Sequence, residues 1–283
     1  FMVGVLTGYF LFASMVDNND PKSTAWFNTY YILGALAVVA FLLLLTTKLD
    51  ESSIKEAEQS KSAGDDFVEM WKLVLLPLVL VFIFSAFFYV LIEQSIMSWL
   101  PTFNKDVLQL STSLSIQMAS ILSASIALGR FLAGLVLRKA DWFIVLAVCL
   151  LAAGTLVLLA VPLTKNITGI TVNSLADVPL VAFIFPLIGL FLAPIYPAIN
   201  SVILSNLPAH RHGPMSGLIV VFSALGGTTG SIITGNIFEA YGGQTAFYFS
   251  LVPICMLIAL LYVFKRLQPK AGTVVDLKTA GGH

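Results

Sequence analysis

The stretch LVLLPLVLVFIFSAFFYVLIEQSIMSW, from Leu73 to Trp99, carries a single charged residue, Glu93, in 27 positions. A helix of about 20 apolar residues can cross the hydrocarbon core of a bilayer, which is roughly 30 Å thick. Backbone polar groups inside lipid must pair with one another, so a stretch of this kind is expected to be helical. The segment therefore predicts a membrane-spanning helix with a carboxylate in its outer third.

The rest of the chain has the same character. Of 283 residues, 58% are hydrophobic and 11% are charged, against about 25% charged in an ordinary globular domain. Seven further apolar segments are Phe1–Met15, Ala25–Leu45, Ser113–Leu137, Trp142–Leu163, Pro179–Leu204, Met215–Phe238 and Ala246–Phe264. We therefore predict an all-α polytopic membrane protein with eight spans. The net charge of zero gives no indication of nucleic acid as a partner.

One connection between the spans is long and polar. Residues 46–72 include KLDESSIKEAEQSKSAGDD, which predicts a linker between two membrane domains, 1–45 and 73–268. Residues 269–283 are expected to form a polar tail. Asp66, with Glu69 three positions later, resembles a helix N-cap with its capping-box partner, so the next helix is expected to start just after Asp66.

The basic residues predict how the chain is oriented. With the linker and the C-terminal tail in the cytoplasm, eleven Lys and Arg residues fall on that side and three on the other. Such an excess is typical of cytoplasmic loops. The eleven are Lys48, Lys55, Lys61, Lys72, Arg138, Lys139, Arg211, Lys265, Arg266, Lys270 and Lys278, and the three are Lys22, Lys105 and Lys165.

The order of the segments is two spans, a linker and six spans. This order is expected if a six-plus-six transporter lacks its first four helices. The apolar run that begins at Phe1 agrees with a start inside a helix. A native protein with eight spans is the alternative.

Four of the six helices after the linker carry polar or small residues at helical spacing, and Trp142–Leu163 and Ala246–Phe264 carry almost none. We expect the four to line a polar cavity and the other two to be peripheral. The candidate substrate-binding residues are Tyr89, Glu93, Gln117, Tyr196, Asn200, Ser223 and Gly227. The pairs Gly4–Gly8 and Gly226–Gly230 also fit close packing between helices.

The stretch LAPIYPAIN, residues 192–200, has Pro194 and Pro197 in the middle of a span. Each proline lacks a backbone donor and is expected to kink or break the helix. Broken helices whose freed carbonyls face a cavity are typical of transporter binding sites. A purely structural kink is the alternative.

The stretch ALGRFLAGLVLRKAD, residues 127–141, resembles the motif that joins the second and third helices of each major facilitator half. IEQSIMSWL, ALGRFLAG and IYPAINSVILSNLPAHRHGPMSGLIVVFSALGG are similar to stretches of the fucose–galactose–glucose:proton symporter family. The resemblance implies a major facilitator fold, with the last two helices of the N-terminal half and a complete six-helix C-terminal half. It also implies proton-coupled uptake of a neutral monosaccharide in the bacterial inner membrane. We expect a monomer without a cofactor or metal.

The resemblance also implies roles for single residues. An aromatic residue at the position of Tyr196 lines the sugar cavity in that family, and the motif gives Gly134 a packing role and Arg138 a place at the cytoplasmic turn. The family's proton-coupling carboxylates lie on its first and fourth helices, which match none of the eight spans. The proline that usually follows the Gly226–Gly227 pair is absent, so another small solute remains an alternative substrate.

Glu93 and Arg130 are the two charged residues inside the later spans. Glu93 has three interpretations, namely an acceptor for sugar hydroxyls, a titrating group, or a gate residue, and we expect binding or gating. No acidic residue of the eight spans is expected at the depth of Arg130. Its expected partners are therefore backbone carbonyls, lipid phosphates or other helices, and its expected role is at the cytoplasmic gate.

Two other classes of protein remain to be weighed. An intramembrane enzyme needs a nucleophile with its base or a cluster of metal ligands. The histidines His210, His212 and His283 are expected in a loop or in the tail, and Cys149 and Cys255 have the character of small apolar residues. We therefore do not expect an enzyme. A non-transporting sensor or scaffold of the same fold is the second alternative.

Overall fold

The computed structural model of the chain describes residues 2–17, 20, 22–47, 63–164, 175–208 and 211–268. All regular elements in these ranges are helices, and two short 3₁₀ turns (Leu175–Asp177 and Leu180–Phe183) precede α7. The α-helices are α1 Met2–Met15, α2 Phe27–Thr46, α3 Ala63–Leu73, α4 Pro77–Asp106, α5 Thr112–Val136, α6 Trp142–Thr164, α7 Ile184–Leu192, α8 Ile195–Ser205, α9 His212–Tyr241, α10 Gly243–Phe249 and α11 Leu251–Leu267.

Seven of the eight expected spans are long and apolar enough to cross a membrane. Two of them are interrupted, because α7 and α8 share one span and α10 and α11 share another. The remaining segment, α1, has 14 residues in the described part, which at 1.5 Å per residue is about 21 Å. It packs along α5, where the Ser113 hydroxyl donates to the carbonyl of Ala13 over 3.2 Å.

The entry into the six-helix part differs from the prediction. Helix α3 begins at Ala63, so the expected start after Asp66 is wrong. The chain then turns at 74–76, and Pro77 opens α4, because a proline at the first helical position lacks only a donor that would be unpaired there. Most of the linker, with Lys48, Lys55 and Lys61, and the tail 269–283 lie outside the described residues.

Helix α4 is longer than the predicted span. It continues through Pro101 to Asp106, so Glu93 is its seventeenth residue of 30. The expected position of Glu93 in the outer third of the helix is therefore wrong, and the carboxylate lies near the middle. The sequence analysis ended this span at Trp99 because a proline, Pro101, comes soon after it. A membrane helix can nevertheless continue past a proline when neighbouring helices satisfy the freed backbone groups.

The predicted break in LAPIYPAIN occurs at Pro194. Helix α7 ends at Leu192 and α8 begins at Ile195. Pro194 cannot donate to the carbonyl of Leu190, and Gly129 of α5 packs against that carbonyl so closely that a Cβ on Gly129 would overlap it. Pro197 is the third residue of α8, where a helix needs no donor. The two prolines therefore have different effects.

Helices α4 and α9 approach each other most closely through glycines. A Cβ on Gly226 or Gly230 would overlap the backbone of Phe87 or Leu91 on α4. Next to Gly230, the carbonyl of Ser231 accepts a hydrogen bond of 2.9 Å from the indole N–H of Trp99, two turns beyond Leu91 on α4. The packing interpretation is therefore confirmed for these two glycines. Gly4 and Gly8 have no described atom within 4 Å of an added Cβ, so the same interpretation is not supported for them.

Polar contacts join the ends of the helices on the linker side. The Lys265 Nζ lies 3.0 Å from Asp141 Oδ1, and this hydrogen bond holds the pKa of Asp141 below its ordinary value. His212 is the first residue of α9 and is not in a loop as expected. Its Nε2 lies 2.9 Å from the carbonyl of Leu204 at the end of α8. His210 and His283 lie outside the described residues.

Candidate functional site

An ion pair joins α4 and α5 in the middle of the helical bundle. Arg130 Nη2 lies 3.4 Å from Glu93 Oε1, and the two side chains keep 30% and 13% of their exposure. The prediction that Arg130 finds no acidic partner among these spans is therefore wrong. It assumed that the two residues differ in depth, but α4 extends beyond its predicted end and the arginine side chain is long.

Tyr89 forms a hydrogen bond with the same carboxylate. It precedes Glu93 by one helical turn, is fully buried, and donates its hydroxyl to Glu93 Oε1 over 2.8 Å. Both polar contacts of the carboxylate thus end on Oε1. Within the described residues Oε2 makes no hydrogen bond, so this oxygen remains available to another donor.

The aromatic ring of Tyr89 extends the cluster to α8. Its ring stacks on that of Tyr196, with centroids 5.5 Å apart and an angle of 22° between the planes. The Tyr196 hydroxyl in turn lies 3.0 Å from the hydroxyl of Ser223 on α9. A continuous chain of contacts therefore runs from Arg130 to Ser223 across α5, α4, α8 and α9, which lie in the four spans predicted to carry polar stripes. We call these five residues, Arg130, Glu93, Tyr89, Tyr196 and Ser223, the polar cluster.

Two other predicted residues adjoin this cluster. Asn200 lies one turn beyond Tyr196 and is half-buried, and its Oδ1 has no hydrogen-bond partner in the described part of the chain. Gly227 lies one turn beyond Ser223, where an added Cβ would come within 3.1 Å of the Gln94 side chain. The sequence analysis missed Gln94, although an amide next to Glu93 in the middle of an apolar span was a visible signal.

Gln117 does not join the polar cluster. It precedes Arg130 by 13 residues on α5, which corresponds to about 20 Å along a helix. Its amide donates to the hydroxyl of Ser113 over 3.2 Å, and Ser113 contacts α1. The structure therefore directs Gln117 toward the contact between α1 and α5.

All of the predicted gate residues except Arg138 line a cavity close to Trp142, at the start of α6. This cavity of about 460 Å³ lies between α5 and α8 and reaches from Arg130 to Asp141, and Gly134, Pro194 and Pro197 also line it. Gly134 has no described atom within 4 Å of an added Cβ. The close packing in this motif is instead at Gly129, which the sequence analysis did not single out, and Arg138 is exposed.

The polar cluster is electrically balanced. The carboxylate of Glu93 and the guanidinium of Arg130 compensate each other at 3.4 Å, and the other members are neutral hydroxyl and aromatic groups. No group of three His, Cys, Asp or Glu side chains that could hold a metal ion occurs among the described residues. The cluster combines one ion pair with hydrogen bonds and a ring stack.

The seven long apolar helices, with a polar cluster between them, have the features of a polytopic membrane protein. The sequence profile of the Major Facilitator Superfamily matches residues 1–175, which is more than half of the chain. The chain belongs to the Major Facilitator Superfamily.

Comparison with individual proteins agrees with this assignment. The chain is 23% identical over 262 residues to the Protein TsgA homolog of Buchnera aphidicola subsp. Baizongia pistaciae (strain Bp). The aligned region covers 91% of this chain and 59% of that relative. It is also similar to the crystal structure of FucP in the outward conformation, with a TM-score of 0.58 and 19% identity over 87% of this chain and 55% of FucP.

A second structure, a variant of the E. coli fucose:proton symporter FucP, gives a TM-score of 0.59 at 18% identity, covering 95% of this chain and 65% of that protein. These likenesses to solved structures show the fold. The chain thus spans between 55% and 65% of the length of these three proteins.

Proposed function

We propose that the chain forms part of a secondary active transporter that takes up a neutral monosaccharide together with a proton. The observation that supports this proposal is the balanced charge of the polar cluster, in which Arg130 compensates Glu93 at 3.4 Å. A site for an anionic solute would be expected to present basic groups in excess of acidic ones. A balanced site favours a neutral solute that is recognised by hydrogen bonds.

The groups left open around the cluster suit a polyhydroxylated solute. Glu93 Oε2 and Asn200 Oδ1 are acceptors without a partner in the described part of the chain. The hydroxyls of Tyr196 and Ser223 can each donate or accept. Tyr196 is half-buried and offers an aromatic ring. Acceptors, hydroxyls and a ring within one cluster are the groups that bind a sugar.

The proposal extends to the arrangement of the protein in the membrane. Residues 1–45 form the end of one six-helix half and 73–268 form the other, joined by a cytoplasmic linker, with the tail also cytoplasmic. Arg130, Gly134, Arg138, Pro194 and Pro197 belong to the cytoplasmic gate. The similar FucP is named as a fucose:proton symporter, which supports a sugar as substrate and a proton as coupling ion. The bacterial inner membrane and a monomeric state are part of the same proposal.

Counterflow in proteoliposomes tests this function. Vesicles that contain the full-length protein and an excess of an unlabelled hexose are diluted into a labelled trace of the same hexose, across a panel of neutral hexoses. We expect transient accumulation of the label for at least one hexose and a steady accumulation when a pH gradient is imposed. Vesicles without protein provide the control. No counterflow with any hexose would contradict the proposal and favour a scaffold or another solute.

Tyr196 provides the first mutational prediction. Tyr196→Ala in the full-length protein is expected to weaken hexose binding clearly, because it removes the ring that faces the site. Tyr196→Phe keeps the ring and loses only the contact with Ser223, so we expect a change of about 0.5–1.5 kcal/mol, the net value of one hydrogen bond. The dissociation constants from equilibrium binding measure both effects. An unchanged affinity in Tyr196→Ala would remove this residue from the site.

A further inference from the structure

Gln94 is a polar side chain in the middle of the membrane that the polar cluster does not include. It follows Glu93 on α4 and is the eighteenth residue of that 30-residue helix. Its side chain is half-buried. In the described part of the chain its amide makes no hydrogen bond, unlike Gln117, whose amide donates to Ser113 over 3.2 Å.

An amide without a partner at this depth is costly in contact with lipid. Polar side chains within membrane spans usually face the interior of the bundle or a hydrated cavity and mark a substrate pathway. The neighbours of Gln94 agree with such a cavity. Its stem lies beside Gly227, and Gly227 is one turn from Ser223, whose hydroxyl contacts Tyr196 at 3.0 Å.

Gly227 gives Gln94 the space it needs. An added Cβ at this position would lie 3.1 Å from Gln94 Cγ and 3.4 Å from Val90 Cγ1. The contact with Gln94 Cγ is tighter than ordinary van der Waals contact, so an alanine here would push the glutamine stem aside by a few tenths of an ångström. At Gly226 the obstacle is the backbone of Phe87 instead. Gly226 therefore permits helix packing, and Gly227 permits a position of the Gln94 side chain.

We propose that Gln94 is a specificity-determining residue of the solute site, where its amide forms a hydrogen bond with one hydroxyl of the bound sugar. This inference rests on the proposed function. The amide supplies both a donor and an acceptor, and Glu93, the preceding residue of α4, keeps its Oε2 without a partner in the described part of the chain. Glu93 and Gln94 would then each form a hydrogen bond with a different hydroxyl of the same sugar ring.

The test compares the affinity for a hexose with the affinities for analogues that each lack one of its hydroxyls. For a hexose that binds the full-length protein, equilibrium binding is measured for its series of monodeoxy analogues, in the parent and in Gln94→Ala. We expect the parent to lose affinity about two- to tenfold at the position that Gln94 recognises, in line with one hydrogen bond. In Gln94→Ala that penalty is expected to disappear, while the penalties at the other positions persist.

Gln117→Ala is the matched control, because it also removes a glutamine amide from a membrane-spanning helix, but one that lies near the start of α5 and is directed toward Ser113. It is expected to keep every deoxy penalty of the parent. If Gln94→Ala does not assemble, Gln94→Asn withdraws the amide by one methylene and should reduce the same penalty. Persistence of all penalties in the Gln94 variants would overturn the inference alone. A parent that binds no hexose would instead contradict the proposed function and the inference with it.

Discussion

Replacing Arg130 with alanine is expected to destabilise the full-length protein by about 2–3 kcal/mol and to abolish transport. The change would leave the Glu93 carboxylate charged in the middle of the bundle, with the Tyr89 hydroxyl as its only remaining donor among the described residues. Breaking a fully buried ion pair costs about 3–5 kcal/mol. The smaller value is expected because the Arg130 side chain keeps 30% of its exposure.

The double variant Arg130→Ala/Glu93→Gln separates charge from shape. It removes the uncompensated carboxylate, so part of the stability lost in Arg130→Ala is expected to return. Arg138→Ala provides the control, because Arg138 is an exposed arginine just beyond the end of the same helix. Thermal unfolding in detergent measures the stability of the parent, the two Arg130 variants and the Arg138 variant. An Arg130→Ala variant as stable as Arg138→Ala would show that the ion pair does not hold α4 against α5.

The contact between α4 and α9 carries the second large prediction. Gly230→Ala is expected to destabilise the protein by about 1–3 kcal/mol, the usual cost of overpacking, because the added Cβ would overlap the backbone of Leu91. Gly230→Leu is expected to prevent assembly. Both effects follow from the distance between two backbones, which a side chain cannot relieve by changing its rotamer.

Gly213→Ala is the matched control on the same helix, because no described atom lies within 4 Å of a Cβ at that position. An exposed glycine in a helix costs about 1 kcal/mol relative to alanine, so this variant should be neutral or slightly more stable. Thermal unfolding in detergent again provides the measurement. Equal stability of Gly230→Ala and Gly213→Ala would contradict the close approach of α4 and α9.

The membrane spans were predictable because their signal is local. A run of about 20 apolar residues is itself sufficient to indicate a membrane helix, and seven of the predicted segments lie in helices long and apolar enough to cross a membrane. The break at Pro194 was predictable for the same reason, since the missing donor belongs to the proline itself. The ends of α4 were not predictable in this way. Pro77 and Pro101 both lack a backbone donor, but Pro77 begins the helix and Pro101 lies inside it.

The contacts between helices were less accessible to sequence analysis. The Arg130–Glu93 pair was missed because depth was counted from predicted helix ends, and the end of α4 was placed at Trp99 instead of Asp106. Gly129 was missed because its partner, the carbonyl of Leu190, is 61 positions away in the chain. Polar stripes did identify Tyr196 and Ser223, but their contact at 3.0 Å depends on how α8 and α9 pack.

The Glu93→Gln variant gives the most direct test of the claim that this cluster binds the solute. Glutamine keeps an acceptor for Tyr89 and Arg130 but cannot titrate. Exchange of labelled sugar at equilibrium reports binding and the conformational cycle, whereas accumulation driven by a pH gradient also reports coupling. We predict an affinity about tenfold weaker in exchange, equivalent to about 1.4 kcal/mol, with accumulation reduced in proportion. Unimpaired exchange with loss of accumulation would contradict the claim and identify Glu93 as the proton site.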